Sequence, residues 1–464
     1  MNISYKQFYI FICLIATLIF FLTGYFSFNG LYGQDGYSYL HQSKTLFTSH
    51  YHHDFYPPVY AFAGWIINYL IQDHALSLQL ISLFAVAVAA IVLQRTLNLL
   101  NNKTQTACLY TLMVFLLSPF MIRSSVLVMS DALAMMLVLC VLYFYFKQGD
   151  GGFIMVCIFF SLAALTRYAS VVLLLPLMFF AFLNVMKQKH YFKLAIGLSI
   201  ILVLFSANFF LWTSKTGSIN HQWLILWDWR NFFKNSFSTL DGIQTYYLPN
   251  ILYPLKLFVY PGFLPLFLIL IWFVRKTDFT NIRHRLVVTS LFIYFLFLAG
   301  IPFQNDRFLL IAFPFVLILL FPAFCRLIVC FEIKPLLIIL VVFAHVALCF
   351  RAISPFYFRN KVEREISEKL VQYQGSTLYS FDIDVALKGK DLKFDYKNLL
   401  DSNYSQFLVG SLVLFNEKKL AQQWSDSNPM LNFAHLNNAY NITTEEMFID
   451  DWVLYSVHDK KKSP

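Results

Sequence analysis

The strongest constraint on the fold is a series of apolar runs, each close to the length that crosses a lipid bilayer. A spanning helix needs about 20 consecutive apolar residues. Only 13% of the residues are charged, against roughly 25% in soluble domains. The chain is therefore predicted to be an all-α, multi-pass membrane protein with about eleven transmembrane helices. The runs lie at residues 8–28, 76–97, 104–122, 126–146, 152–166, 168–186, 192–213, 251–274, 286–303, 307–325 and 335–353.

Basic residues between the runs favour one orientation in the membrane. With a cytoplasmic N-terminus, lysines and arginines concentrate in the inner turns, as at Lys187, Lys189 and Lys193, while the short outer turns hold few. This distribution follows the positive-inside rule. We therefore expect a cytoplasmic N-terminus and an extracytoplasmic C-terminal domain. We attribute the net charge of +10 to this orientation and expect no nucleic-acid partner.

Two domains are predicted. Residues 1–353 form the transmembrane domain, and its first outer loop, 29–75, holds an apolar stretch at 59–71 that is too short to cross and is expected to be an interfacial helix. The second large outer loop, 213–250, is rich in Trp and Phe, which suit the headgroup zone or a path for lipid. Residues 354–464 are polar and predict a small α/β extracytoplasmic domain.

Within the C-terminal domain, hydrophobic periodicity predicts particular elements. A helix is expected at 358–374, with Glu363 and Glu368 on its polar side. The remaining elements are expected at 377–383, 411–416 and 452–457 as strands and at 418–424 as a helix.

Four ionisable residues lie at or inside the ends of predicted spans, where a charge costs a few kcal/mol. They are Arg123, Asp131, Arg167 and Arg307. One interpretation is structural: Asp131 pairs with Arg123 to join two helices, and Arg307 pairs with Asp306 or extends to the surface. The other is functional: Asp131 is an active-site carboxylate, and the arginines bind a lipid phosphate through their planar guanidinium groups.

The first outer loop contains further candidates. Asp35 lies in Gly-Gln-Asp-Gly-Tyr, directly after the first apolar run. It is a candidate catalytic carboxylate, although Asp-Gly is also a common turn dipeptide. His52, His53 and Asp54 follow in the same loop, and the two histidines are candidate ligands for a divalent metal ion. No cofactor is certain from these residues.

The order of these motifs resembles that of the GT-C membrane glycosyltransferases, the superfamily that includes lipid A aminoarabinose transferases and protein O-mannosyltransferases. The resemblance covers about the first 350 residues. Gln34 and Ala132 stand where many members have a second acid and a proline. The matching elements are Asp35 with Tyr37 and Tyr39, Tyr56-Pro57-Pro58, Ser130-Asp131-Ala132-Leu133, Thr166-Arg167, and Arg307-Phe308-Leu309-Leu310 with Pro314.

The resemblance implies an inverting transfer of sugar from a polyprenyl-phosphate donor to an acceptor hydroxyl, on the outer face of a bacterial inner membrane. Asp35 is then the general base, and Asp131 orients the acceptor or an arginine. Arg123, Arg167 and Arg307 stabilise the departing phosphate. The expected partners are membrane lipids and a glycolipid, glycan or protein acceptor. Residues expected to line the substrate cavity are Tyr37, Tyr39, His53, Asp54 and Tyr56.

Three alternatives remain at this stage. An O-antigen ligase or polymerase would use a polyprenyl diphosphate donor, with its key residues in a late outer loop. A lipid or sugar transporter would show broken helices or repeat symmetry near the middle of the membrane. A non-catalytic scaffold would keep the fold without turning over a lipid-linked sugar. Pocket shape, rather than these motifs, selects the sugar and the acceptor.

Overall fold

The computed structural model of the chain divides into two compact units. The first comprises Met1–Gly30, Gln42–Lys234 and Leu248–Ser354, and the second comprises Leu31–His41, Asn235–Tyr247 and Pro355–Pro464. The predicted first span, 8–28, lies outside the described residues except for its last residue. The residues described are 28–48, 56–100, 105–147, 149, 151–211, 226–239, 242–259, 263–330 and 335–461.

Helices dominate the chain up to residue 370. They are α1 (Gly33–Thr45), α2 (Val59–Ile71), α3 (His74–Leu100), α4 (Gln105–Leu116), α5 (Pro119–Val126), α6 (Asp131–Lys147), α7 (Gly152–Ala164), α8 (Ala169–Lys187), α9 (Tyr191–Leu211), α10 (Lys256–Val259), α11 (Leu264–Trp272), α12 (Ile282–Gly300), α13 (Asp306–Cys330) and α14 (Pro335–Leu370).

Five helices within the described residues are long and apolar enough to cross a bilayer, namely α3, α8, α9, α12 and α13. Helices α4 and α5 are bent by 56° at their junction and together can supply one more span. The bend has a local cause. Pro119 has no N–H to continue helix α4, and the extended Ser118 caps α5 by accepting a hydrogen bond from the Phe120 amide at 3.2 Å. The chain is a multi-pass membrane protein, as predicted.

The packing of the first unit centres on α6 and α13. Helix α6 packs against α3, α7 and α13, and α13 also contacts α4 and α12. Small residues permit close approach elsewhere, because a Cβ at Gly64 of α2 would lie 2.4 Å from a methyl carbon of Leu78 in α3. Helix α9 is the least buried of the five spanning candidates, which suits a face that contacts lipid.

The first polar loop is more helical than expected. Asp35 and Gly36 lie inside α1 rather than in a turn, so the turn interpretation of Asp35-Gly36 is wrong. The helix begins at Gly33, which has a φ of +57°. It carries an acid in its first turn and Lys44 in its last turn, an arrangement that complements the helix dipole. Helix α2 coincides with the stretch predicted to be an interfacial helix.

Two other predictions of helical elements need correction. The run at 251–274 is not one helix: a 3-10 helix at Asn250–Leu255 is followed by the short α10 and the nine-residue α11. Pro254 lies within this segment and cannot donate a backbone hydrogen bond. The last apolar run and the helix predicted at 358–374 form a single helix, α14, of 36 residues.

The second large loop also contains regular structure. Its described part holds a 3-10 helix at Trp229–Phe233, preceded by Trp227. A Cβ at Gly300 would lie 2.1 Å from the Trp227 indole nitrogen, so the end of α12 and this tryptophan pack closely. Asn231 donates to the Gly300 carbonyl at 2.8 Å. The expectation that this loop lines a lipid path stays a prediction.

The second unit contains the β structure. Strands β1 (Ser236–Thr239) and β2 (Gly242–Thr245) form an antiparallel hairpin. The remaining strands form a mixed sheet in the order β4-β3-β5-β7-β6, with β3 parallel to β4 and β5 and the other pairs antiparallel. The sheet elements are β3 (Thr377–Ser380), β4 (Asp395–Asn398), β5 (Leu412–Phe415), β6 (Tyr440–Met447) and β7 (Val453–Lys460), accompanied by α15 (Asp384–Gly389), α16 (Glu417–Trp424) and α17 (Asn428–Ala439).

The core of this unit lies between the sheet and its helices. Strand β5 is buried along its whole length, as expected of a central strand covered on both faces. Phe415 of β5 stacks on Phe433 of α17 with ring centroids 4.1 Å apart. The predicted small α/β domain is confirmed. Strands β4 and β6 and the hairpin were not predicted.

Candidate active site

Three charged residues of the first unit form a buried ion cluster. The Asp131 carboxylate contacts Arg167 through one oxygen and Arg307 through the other, and the Arg307 Nε to Asp131 Oδ2 distance is 2.7 Å. Asp131 is almost completely buried, and both arginines are largely buried. We call Asp131, Arg167 and Arg307 the Asp131 cluster. The pairing differs from the structural alternatives considered above, in which Asp131 joined Arg123 and Arg307 joined Asp306.

Three separate segments bring the cluster together. Asp131 is the first residue of α6, where a negative charge is stabilised by the helix dipole. Arg167 lies in the turn between α7 and α8, and Arg307 lies in the first turn of α13. A positive charge in the first turn of a helix interacts unfavourably with the helix dipole. The contact with Asp131 offsets this unfavourable interaction at Arg307.

The three side chains of the cluster do not carry equal numbers of positive and negative charges. One carboxylate contacts two guanidinium groups, so the formal charges of these three residues sum to +1. The neighbouring Lys256 and Asp306 form an ion pair at 3.5 Å and cancel each other. Guanidinium groups that are held in place by a carboxylate keep further N–H donors with which they can bind phosphate oxygens. The chemistry of these residues therefore suits an anion.

An aromatic ring packs against Arg167. The Arg167 guanidinium carbon lies 4.4 Å from the centroid of the Phe308 ring, within the range of a cation–π contact. The Tyr294 hydroxyl donates to the Phe308 carbonyl at 2.9 Å, which ties α12 to the first turn of α13. Arg167 and Phe308 are therefore held by contacts on more than one side, and a rigid guanidinium is suited to recognising a phosphate.

The Tyr56-Pro57-Pro58 step reaches the same turn as Arg167. The Val59 amide, which follows the two prolines, donates to the Leu165 carbonyl at 3.1 Å. The Tyr56 carbonyl accepts a hydrogen bond from Gln42 at 3.0 Å. Two of the predicted motifs thus meet in the first unit, the Tyr-Pro-Pro step and the Thr-Arg turn.

The predicted catalytic base lies in the second unit. Asp35 is half-buried in the first turn of α1. Tyr37 and Tyr39 of the same helix are buried, and the Tyr37 hydroxyl donates to Glu363 at 2.9 Å. Their predicted role as cavity residues stays a prediction.

Several other candidates have no described role in the cluster. Arg123 lies on α5 and is half-buried. His52, His53 and Asp54 lie outside the described residues. Within the described ranges, no group of three or more His, Cys, Asp or Glu side chains could hold a metal ion. The possible metal ion stays a prediction for His52 and His53.

A second charge network, which was not predicted, lies in the second unit, where Arg359 and Glu363 are buried and Asp382 and Lys419 are partly exposed. Glu363, expected on a polar helix face, has no exposed surface, so that expectation is wrong. Arg359 donates to Glu363 at 2.7 Å and to Asp382 at 3.0 Å, and Lys419 donates to Asp382 at 2.9 Å. We call these four residues the Glu363 network. The only local signal was the spacing of Arg359 and Glu363, which places them on one helix face.

Comparisons with known proteins bear on the family and the fold of the chain. Residues 56–212 match the family model described as dolichyl-phosphate-mannose-protein mannosyltransferase. No protein of curated function matches the sequence. The fold is similar to that of ArnT from Cupriavidus metallidurans bound to undecaprenyl phosphate, with 13% identity, a TM-score of 0.63, and coverage of 97% of this chain and 98% of that chain.

A second solved structure is also similar. The oligosaccharyltransferase of Archaeoglobus fulgidus, tethered with an acceptor peptide, has 12% identity, a TM-score of 0.51, and coverage of 96% of this chain and 74% of that chain. The GT-C membrane fold predicted from the motifs is therefore confirmed. Together the family model and the fold indicate a GT-C glycosyltransferase.

Proposed function

We propose that this chain, which has the fold of the GT-C membrane glycosyltransferases, transfers a sugar from a polyprenyl-phosphate donor to an acceptor hydroxyl. The comparisons support a lipid-linked sugar transferase in general: the similar ArnT is bound to undecaprenyl phosphate, and the matching family model is named for dolichyl-phosphate mannose. The proposal is more specific in two respects: the reaction inverts the configuration of the sugar, and the active site lies on the outer face of a bacterial inner membrane.

The observation that carries the proposal is that the buried Asp131 carboxylate holds two arginines together. Departure of a polyprenyl phosphate from the sugar develops negative charge on the phosphate oxygens. Arg167 and Arg307, held in place by one shared carboxylate, stabilise that charge in surroundings that exclude most water. Asp131 orients both arginines and keeps them apart by binding each through a different oxygen. Arg123 is a further candidate for the phosphate.

Asp35 is the proposed general base. The acceptor oxygen forms a bond to the anomeric carbon on the face opposite the phosphate, and the bond from that carbon to the phosphate oxygen breaks. The proton of the acceptor hydroxyl passes to the Asp35 carboxylate, and the polyprenyl phosphate leaves with the bonding electrons. A base must lie within hydrogen-bond reach of the proton that it accepts. This chemistry inverts the configuration at the anomeric carbon.

The remaining predicted residues have supporting roles in the proposal. Tyr39, Tyr56, His53 and Asp54 are candidate contacts to the sugar or the acceptor. The acceptor is a glycolipid, a glycan or a protein. Tyr37 contacts Glu363 instead, which suggests a different role for it.

The proposal is tested by measuring release of polyprenyl phosphate by mass spectrometry. The purified protein is incubated with hexosyl, pentosyl and amino-sugar derivatives of undecaprenyl phosphate, together with an extract of envelope glycolipids and glycans. We expect one donor to be turned over, and we expect Asp35→Asn to lower its kcat by about 100-fold or more. Turnover of an undecaprenyl diphosphate sugar instead would favour the ligase or polymerase alternative.

A matched control is Asp73→Asn. Asp73 accepts a hydrogen bond from the Leu76 amide at the start of α3, and asparagine performs that capping role about as well as aspartate. The Asp73 variant should therefore keep wild-type turnover. Full transfer by a folded Asp35→Asn protein would remove Asp35 from the role of base.

A further inference from the structure

Helix α14 contacts the segment that carries Asp35 through a stripe of side chains. Asn360 donates to the Leu31 carbonyl at 3.1 Å. Phe356, one turn earlier on the helix, packs edge-on against Tyr32 with ring centroids 4.5 Å apart. Residues four apart in a helix lie on the same face. One face of α14 therefore contacts the two residues, Leu31 and Tyr32, that lie shortly before α1.

The third contact of the stripe is a buried hydrogen bond between Tyr37 and Glu363. The Tyr37 hydroxyl donates to Glu363 Oε2 at 2.9 Å, and both side chains are almost completely inaccessible to solvent. Glu363 lies seven residues after Phe356 and so completes two turns of the same face. Burial raises the pKa of the Tyr37 phenol, and the Glu363 carboxylate raises it further, so the phenol stays a donor at neutral pH.

The acceptor of this hydrogen bond is itself held in place. Arg359 donates to the other Glu363 oxygen at 2.7 Å and to Asp382 at 3.0 Å. Two positive and two negative charges balance in the Glu363 network once Lys419 is included. Because breaking a buried pair is costly, Glu363 has little freedom to move away from Tyr37.

The space for the Tyr37 ring depends on a glycine. A Cβ at Gly389, the last residue of α15, would lie 2.3 Å from Cδ1 of Tyr37. That distance is far below van der Waals contact, and the obstructing atom belongs to a ring rather than to a flexible chain end. Any larger residue at position 389 would force the ring, and with it α1, to shift.

The position of Tyr37 on α1 determines where Asp35 points. Each residue of an α-helix turns the chain by about 100°, so Asp35 lies about 200° around the helix from Tyr37. Burial of Tyr37 against Glu363 and Gly389 therefore presents Asp35 on the opposite side of the helix.

We infer that Glu363 is a positioning residue for the proposed base: through Tyr37 it sets the rotation and position of the helix that carries Asp35, and Gly389 admits the Tyr37 ring. The inference rests on the proposed function of Asp35. It assigns the C-terminal domain a direct part in arranging the base, because Glu363 and Gly389 belong to that domain.

The test uses the full-length protein with Tyr37→Phe, Glu363→Gln and Gly389→Ala. Tyr37→Phe keeps the ring and removes the donor. We expect this variant to lower kcat about tenfold, measured with the undecaprenyl phosphate sugar that the wild type uses. KM for that donor should stay within twofold. Misplacement of a catalytic group by a fraction of an ångström has effects of this size on kcat. Amide hydrogen exchange in residues 31–41 should rise at least fivefold.

The Tyr37 and Glu363 variants should not be additive. If both act through one hydrogen bond, the double variant loses no more activity than the worse single variant. The controls are Tyr69→Phe, at an exposed tyrosine of α2, and Gly149→Ala, at a glycine where an added Cβ meets nothing within 4 Å. Both controls should match the wild type in kcat and in exchange.

The outcomes separate this inference from the proposed function. If Asp35→Asn abolishes transfer while Tyr37→Phe and Gly389→Ala keep wild-type kcat and exchange, the positioning role is overturned and the base stands. Additive losses in the double variant would also overturn it. If Asp35→Asn retains full transfer, the proposed base is wrong, and the inference fails with it whatever the Tyr37 variants do.

Discussion

The Asp131 cluster and the Glu363 network each join a buried carboxylate to arginine, yet the charges of their members sum to different values. The Asp131 cluster has two positive charges and one negative charge, whereas the Glu363 network has two of each. A balanced buried network needs no ligand and can serve to hold elements in place. An unbalanced one becomes more favourable when an anion binds. This difference agrees with the roles that we propose, phosphate binding for the Asp131 cluster and an architectural role for the Glu363 network.

Removal of one arginine from the Asp131 cluster should have the largest effect. Arg307→Ala leaves Asp131 with Arg167 alone, and the cluster becomes neutral. We expect kcat/KM for the polyprenyl-phosphate donor to fall by about 100-fold or more, the usual cost of deleting a group that stabilises a developing anion. Arg307→Lys should recover only part of the loss, because lysine keeps the charge without the planar donors.

The control for that experiment is Arg95→Lys, at an exposed arginine of α3, which should behave as the wild type. Wild-type kcat/KM in a folded Arg307→Ala protein would mean that the charge imbalance has no role in binding the donor.

Removal of Arg359 from the Glu363 network should instead affect stability. Arg359→Met removes the ion-pair partner of the buried Glu363 and leaves Asp382 paired with Lys419 alone, and we expect the free energy of unfolding of the C-terminal domain to fall by about 3 kcal/mol. Trp452 is fully buried, and its ring centroid lies 5.9 Å from the Arg359 guanidinium carbon, so its fluorescence should report the transition in urea. Arg351→Met, on an exposed position of the same helix, should shift the midpoint little. Equal midpoints for the two variants would contradict an architectural role.

Acid should weaken the same network. Burial acts to raise the pKa of Asp382, but Arg359 and Lys419 outweigh it and lower that pKa below its ordinary value. Asp382 therefore binds a proton more readily in the unfolded state than in the folded state. The stabilisation that its charged form provides is complete above about pH 3.9, the pKa of an aspartate in the unfolded state, and is lost as the pH falls through the lower pKa of the folded state. We expect the thermal midpoint of the domain to fall in this window.

Asp382→Asn should remove that part of the acid dependence and lower stability at neutral pH. Asparagine is the appropriate replacement because Asp382 has a φ of +72°, a left-handed conformation that asparagine tolerates. An unchanged acid profile in this variant would show that other carboxylates account for it.

The smallest effect is expected for a surface ion pair of the same domain. Lys418 donates to Asp451 at 2.9 Å, but both side chains are mostly exposed. Such pairs contribute about 0.5 kcal/mol or less, so Lys418→Ala should leave the urea midpoint nearly unchanged. A loss comparable to that of Arg359→Met would mean that burial is not what separates the two kinds of pair.

The sequence predicted those elements of the fold whose pattern lies in consecutive residues. Most of the long apolar runs and the strands β3, β5 and β7 were predicted close to their observed positions, whereas the run at 251–274 is broken into three short helices. Strand β4 has the sequence Asp395-Tyr396-Lys397-Asn398 and pairs only with β3 at the edge of the sheet, so it carries no apolar alternation. The hairpin β1–β2 and the edge strand β6 are polar for the same reason. Their pairing partners, rather than their own residues, determine that they are strands.

For the candidate site, the sequence identified the charged residues but not their partners. Asp131, Arg167 and Arg307 were identified as candidate site residues because a charge within a membrane is energetically unfavourable. Their pairing joins residues up to 176 positions apart, which no local pattern encodes. Glu363 shows the opposite case: its neighbours suggested an exposed helix face, and contact with Tyr37 buried it.

The sequence by itself determined that this chain is a multi-pass membrane protein with the motifs of a GT-C glycosyltransferase and a small α/β domain, because hydrophobic length and periodicity are properties of consecutive residues. Only the tertiary structure decided that Asp131 bridges two arginines, and that Glu363 lies buried against the helix that carries Asp35. Charge balance and burial depend on groups that meet across the fold, so they arise only when the helices and strands have packed.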